Sequence, residues 1–241
     1  MRIKSLIVFF LFACTWSEAQ IALGVKTGMN FSTLNTETSD TDRRMRLATH
    51  VGITSLFGLP CIHKRLSLQP DLLYSSQGSM FNYETEGTDP TFGRYTVEGD
   101  AMVRTNFINL NLPLRFTGGL ENFGYYFLLG PYVGYWASGN YDLSANMSAG
   151  FFNFPFNQSQ RFDLTENDHS RWDYGVCTGL GLRFPAGPGD FQIEVRYNHG
   201  FVNNIDFAIP AVDGVFGGMN FRESSANRVL AASVAYLIHL K

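Results

Sequence analysis

Seven charged side chains fall on the same parity of an alternating pattern. They are Lys26, Asp71, Arg115, Asp173, Arg183, Glu194 and Arg196, four basic and three acidic. Charges taken out of water must be paired. The spacing offers Asp71 with Arg115 and Arg183 with Glu194 as cross-strand pairs. Such a set can line a narrow conduit or lock a polar core. His50 shares this parity and reads as a satisfied polar residue rather than a base. His199, with Asn198 beside it, lies on the opposite parity, and no serine is placed to serve as its nucleophile. His63, Lys64 and Arg65 read as a solvated basic turn. Outside residues 1–19, cysteine occurs at Cys61 and Cys177, a pair with no CxxC and no nearby His pair. A single Cys61–Cys177 bridge stays open, although one residue falls in a turn and the other in mid-strand. There is no phosphate loop, zinc spacing, calcium-loop spacing or nucleophile elbow. No cofactor or metal is therefore expected, and no enzyme activity.

The elements that position these charges follow from composition. The chain has 241 residues, 18 Lys+Arg and 21 Asp+Glu, a net charge of −3. This disfavours nucleic acid as a partner. Charged residues are 16%, below the roughly 25% of ordinary soluble domains. Aromatics reach 15%, with 22 Phe, 11 Tyr and 24 Gly, while mean hydropathy is −0.06. The combination points to an all-β chain in an unusual solvent.

Residues 1–19 have the three-part anatomy of a secretory signal peptide. Arg2 and Lys4 precede the apolar run Leu6-Ile-Val-Phe-Phe-Leu-Phe-Ala13, and Ser17-Glu-Ala19 supplies small residues for cleavage after Ala19. A lipobox ending at Cys14 is the rival reading. The remaining domain is 20–241. No later segment is long and apolar enough for a spanning helix.

Period-two alternation recurs eight times, over residues 21–31, 46–57, 66–77, 105–116, 125–137, 171–184, 191–199 and 228–240. One face is large and nearly uncharged; the other holds Gly, Ser, Asn and the seven charges. Connections 58–65, 117–124 and 185–190 are short. Connections 32–45, 78–104, 138–170 and 200–227 are long. Short turns on one rim, long loops on the other and an even strand count describe an eight-stranded antiparallel up-and-down transmembrane β-barrel, with both termini periplasmic and long loops extracellular. Phe57, Phe116, Tyr125, Phe184 and Phe191 fall at the short-turn rim, and Tyr74, Tyr135, Trp172 and Tyr197 at the other. Both sets are placed for an interfacial aromatic girdle.

Gly24-Val-Lys-Thr-Gly-Met-Asn-Phe31, Leu68-Gln-Pro-Asp-Leu-Leu-Tyr-Ser75, Leu110-Asn-Leu-Pro-Leu-Arg-Phe116, Leu129-Gly-Pro-Tyr-Val-Gly134 and Tyr174-Gly-Val-Cys-Thr-Gly-Leu-Gly181 carry a resemblance. The chain resembles the PorT-like, porin-like outer-membrane β-barrel group of Bacteroidetes over nearly all of residues 20–241. That resemblance implies an outer-membrane barrel and no assigned task. The ending departs from it, because Leu240-Lys241 follow Tyr236 where such barrels finish on an aromatic.

Eight strands enclose a space just filled by side chains, so the seven charges are expected to form a salt-bridged plug. The leading function is a structural or interaction barrel in outer-membrane lipid, whose extracellular loops meet an envelope protein or surface polymer. A narrow passive channel is the alternative, and a lipid-modifying enzyme using His199 a remote one. Residues 32–45, 78–100, 138–170 and 200–227 sum to a charge of −10, an acidic face compatible with divalent ions bridging lipopolysaccharide phosphates or with plain solvation. Residues 151–156, Phe-Phe-Asn-Phe-Pro-Phe, and 95–103 read as strands continuing above the membrane or as a partner surface.

Overall fold

The computed structural model describes residues 21–34, 43–89, 93–120, 122–149, 152–161, 171–203 and 226–240. The expected signal peptide lies outside them. The described residues contain eleven strands: β1 (Ile21–Leu34), β2 (Arg43–Gly58), β3 (Leu66–Leu68), β4 (Asp71–Asp89), β5 (Gly93–Asn111), β6 (Leu114–Leu120), β7 (Phe123–Ala149), β8 (Phe152–Arg161), β9 (Trp172–Ala186), β10 (Gly189–Asn203) and β11 (Ala226–Leu240). Two walls of the barrel are each split at a proline, β3/β4 at Pro70 and β5/β6 at Pro113. Proline has no N–H to give the ladder, but its carbonyl stays in it. Gln69 N–H donates to Pro113 O at 2.9 Å, and Ser55 N–H to Pro70 O at 2.9 Å.

With each split wall counted once, the ring runs β1, β2, β3/β4, β5/β6, β7, β9, β10, β11. It closes where β1 pairs with β11, Ile21 opposite Leu240. The fold is an eight-stranded antiparallel barrel. Burial follows sequence parity and inverts the order of a water-soluble core. Val25 and Leu180 on the outer face are each 65% exposed, whereas Arg115 is 1% exposed and Asp71 is fully buried.

Both described chain ends share a rim with the short turns. The β9–β10 turn has two central residues, Gly187 and Pro188, and Gly187 adopts φ +62°. A left-handed first position suits glycine in a two-residue hairpin loop.

The opposite rim departs from expectation in one respect. Residues 78–89 and 93–104 are strand, not loop: β4 and β5 pair without a break from Asp71↔Asn111 to Asp89↔Gly93. Thr and Tyr populate both arms, and Val97 and Val103 lie in β5. The strand continuation read at 95–103 is present in β5. β7 runs on to Ala149, and β8 folds back along it. The outer parts of β4, β5, β7 and β8 thus form a four-stranded sheet beyond the ring. The β5–β7 register shifts at Asn106/Phe107, leaving Ala137 as the extra residue. Such a bulge reverses the parity of β7 beyond it.

Candidate functional site: the lumen ion network

Alternation turns one side chain in two toward the lumen, and the walls bring these together in layers. In the middle layer, Lys26 Nζ lies 3.0 Å from Asp71 Oδ2 and 3.0 Å from Glu194 Oε1. Arg196 Nη2 lies 2.6 Å from the same Asp71 oxygen and 2.8 Å from Glu194 Oε1. Two cations and two carboxylates therefore form a closed, neutral quartet with all four side chains buried. Glu194 Oε2 also accepts from Gln69 Nε2 and from the Tyr126 hydroxyl, each at 3.2 Å.

The layer toward the short-turn rim is built on Arg115. Its Nη1 donates to Gln69 Oε1 at 2.9 Å and to Gln192 Oε1 at 3.0 Å. Its guanidinium carbon sits 3.6 Å from the Tyr126 ring centroid, a cation–π contact removed from water. Tyr126 fits because residue 181 is glycine: a Cβ there would fall 2.2 Å from Tyr126 Cζ. On the other side of the quartet, His50 Nδ1 is 2.8 Å from Asn30 Oδ1 and Nε2 is 2.9 Å from Ser233 Oγ. Asp173 accepts from Tyr132 at 3.1 Å and Asn227 at 3.2 Å. A cavity of about 20 Å³ beside the quartet, bordered by Lys26, His50, Glu194, Arg196 and Asn198, is the size of one or two waters.

All seven charges lie on the inner parity, but neither expected pair forms. Asp71 stands opposite Asn111, whereas Arg115 stands opposite Ser67, so the two belong to different rungs. Arg183 stands opposite Gln192 and reaches Asp190 at 3.5 Å instead of Glu194. Asp190 also meets His239 Nε2 at 3.0 Å. In the sequence Asp190 belongs to the short connection 185–190. Adding it to the seven expected charges gives four basic and four acidic groups. Gln69, Gln192 and Tyr126 were also missed; their inner parity was the available signal. His50 is indeed satisfied. Cys177 is a free, buried thiol, so the Cys61–Cys177 bridge does not form. Among the described residues no group of three or more His, Cys, Asp or Glu could hold a metal ion.

The outer face carries the aromatics. Phe116, Tyr125 and Phe191 lie toward the short-turn rim and Tyr74, Trp172 and Tyr197 toward the other, all exposed; Phe57, Phe184 and Tyr135 are partly so. Tyr135 and Trp172 pack edge to face at 5.1 Å, and Phe123 and Phe184 at 5.4 Å. His199 stands between the rings of Tyr197 and Phe201.

A closed ring with charges inside and hydrocarbon side chains outside defines a transmembrane β-barrel. Residues 16–206 match the family described as outer membrane protein beta-barrel domain. The chain belongs to that family and is an outer-membrane β-barrel protein. Among solved structures it is similar to Ail of Yersinia pestis in complex with the heparin analogue sucrose octasulfate, at 12% identity and TM-score 0.37, covering 91% of this chain and 99% of that one. It is also similar to Neisserial surface protein A, at 10% identity and TM-score 0.33, with 89% and 95% covered. A third is the outer membrane protease OmpT of Escherichia coli, at 8% identity and TM-score 0.32, with 92% and 97% covered. No curated protein gives a significant match.

Proposed function

We propose that this protein is an interaction barrel: a plugged outer-membrane anchor that holds a tall sheet outside the cell for a protein or surface-polymer partner. The ion quartet supports this reading, because it spans the lumen where a pore would need an open path. In this reading residues 1–19 are a signal peptide removed after Ala19 and residues 20–241 are the mature barrel. Both termini and the short turns are periplasmic, and the β4–β5 and β7–β8 hairpins are extracellular. The motifs quoted above favour the PorT-like branch of Bacteroidetes barrels.

The outer sheet supplies the contact surface. Backbone register places Glu98, Asn146 and Pro155 in one row across it, all three exposed. A photo-crosslinking residue at Thr88 or Asn157, both exposed, tests the proposal in intact cells. A discrete adduct is expected, and the one at Asn157 should vanish when residues 82–100 are replaced by a two-residue turn. An adduct that survives that replacement, or none at either position, contradicts the interaction role.

A further inference from the structure

The outward face is layered toward the long-hairpin rim. Register aligns Val51, Tyr74, Ile108, Tyr135 and Trp172 in one row across β2, β4, β5, β7 and β9. One rung further out lie Ser76, Asn106 and Ser138, with Asn106 Nδ2 donating to Ser138 Oγ at 3.0 Å. The next rung runs Gly78, Arg104, Asn140, Arg161. Arg46 does not belong to this rung: it stands opposite the buried Ser32, on the parity of Ala48 and His50, and its Nη1 donates to Gln77 O. Arg171, at the β9 end of the rim, donates to the Tyr135 hydroxyl at 3.2 Å.

This basic band is confined to one level. Between the aromatic row and the short-turn rim, no outward position of β2, β4, β5, β7 or β9 carries Asp, Glu, Lys or Arg. Farther out, Glu86, Glu98 and Asp100 are exposed. Asp142 lies 3.1 Å from Arg104 and accepts from Ser159 Oγ at 2.6 Å. One carboxylate thus fixes the geometry of Arg104 and leaves the arginines in excess. Four residues separate the aromatic row from the arginine row, about 13 Å of strand and about 10 Å of height at the usual tilt. Tyr and Trp rings mark the headgroup boundary. The guanidiniums therefore stand at the depth of headgroup phosphates, with a fork suited to binding them. Arg104 and Arg161 are two strands apart, about 10 Å, a separation that suits a headgroup with more than one phosphate.

We infer that Arg104 and Arg161 form a binding site for a phosphorylated outer-leaflet glycolipid on the outer wall of β5, β7 and β8. The inference rests on the orientation proposed above. The refolded full-length barrel in neutral detergent is titrated with bisphosphorylated lipid A, the same lipid dephosphorylated, phosphatidylglycerol and inorganic phosphate, and bound lipid is read by native mass spectrometry. Wild type should retain bisphosphorylated lipid A about tenfold better than the dephosphorylated form. R104Q/R161Q should lose that preference. R94Q, altering an exposed arginine paired with Glu86 at the hairpin arm, should keep it. Undiminished preference in R104Q/R161Q overturns the site. So does displacement of lipid A by millimolar inorganic phosphate, or equal retention of phosphatidylglycerol. Orientation is read separately by labelling T88C in intact cells with a membrane-impermeant maleimide. A failure there counts against the topology and leaves the micelle result standing.

Discussion

Arg196 and Asp71 stand on diametrically opposite walls, β10 and β4, four steps apart either way round the ring, yet Nη2 lies 2.6 Å from Oδ2. The bond therefore crosses the full width of the lumen. Lys26 on β1 and Glu194 on β10 complete the bridge. In a barrel this narrow, long side chains from facing walls meet at the axis. Each carboxylate then serves two cations, which offsets the cost of removing four charges from water.

Removing one member of the quartet leaves an uncompensated buried charge. Asp71→Asn is expected to cost about 3 kcal/mol in urea unfolding from detergent or vesicles. Combined with Arg196→Gln it should lose less than the sum, with a coupling of about 2 kcal/mol. Strict additivity would show that the two residues do not meet.

Gly181 gives a steric prediction. A methyl group at position 181 must displace the Tyr126 ring, breaking its bond to Glu194 and its stacking on Arg115. Gly181→Ala should destabilise by about 2 kcal/mol. Adding Tyr126→Ser should relieve much of that loss relative to Tyr126→Ser alone. An unaffected single variant refutes the packing.

Cys177 is sealed on the inner face, its Sγ 3.9 Å from Pro131 O. Peptide mapping after maleimide treatment should find it unmodified in the folded barrel and modified after boiling in SDS. Labelling of the folded form would place this position elsewhere.

Trp172 reports the membrane boundary. In a Trp136→Phe background, its fluorescence should be quenched more by a nitroxide near the lipid headgroup than by one deep in the acyl chain. The reverse order would displace the aromatic row from the interface.

Inner and outer parity was readable over all eight walls, because an alternating strand commits every second residue to one solvent. Arg115 and Glu194 could be assigned to the lumen from that rule alone. Their partners could not, since height along a tilted wall depends on register, and register is set by pairing between strands. Asp71 and Arg115 are therefore neighbours in wall order but not in height, whereas Asp71 and Arg196 are far apart in wall order but level. The prolines that split two walls and the extra residue at Ala137 were equally hidden. Each belongs to a local exchange of backbone partners that leaves the alternating pattern on either side intact. Asp190 was missed because the β9–β10 hairpin closes on just two residues, drawing into strand a segment that reads as a turn.

Planar-bilayer recording tests the plugged lumen most directly. The intact barrel, inserted and shown to be folded by its shifted gel mobility before boiling, should give no steady ion-sized openings. Asp71→Ala/Arg196→Ala should show them if it remains folded. Steady openings in the wild-type protein that disappear when Asp71 or Arg196 is altered would contradict the account and make the network a channel lining.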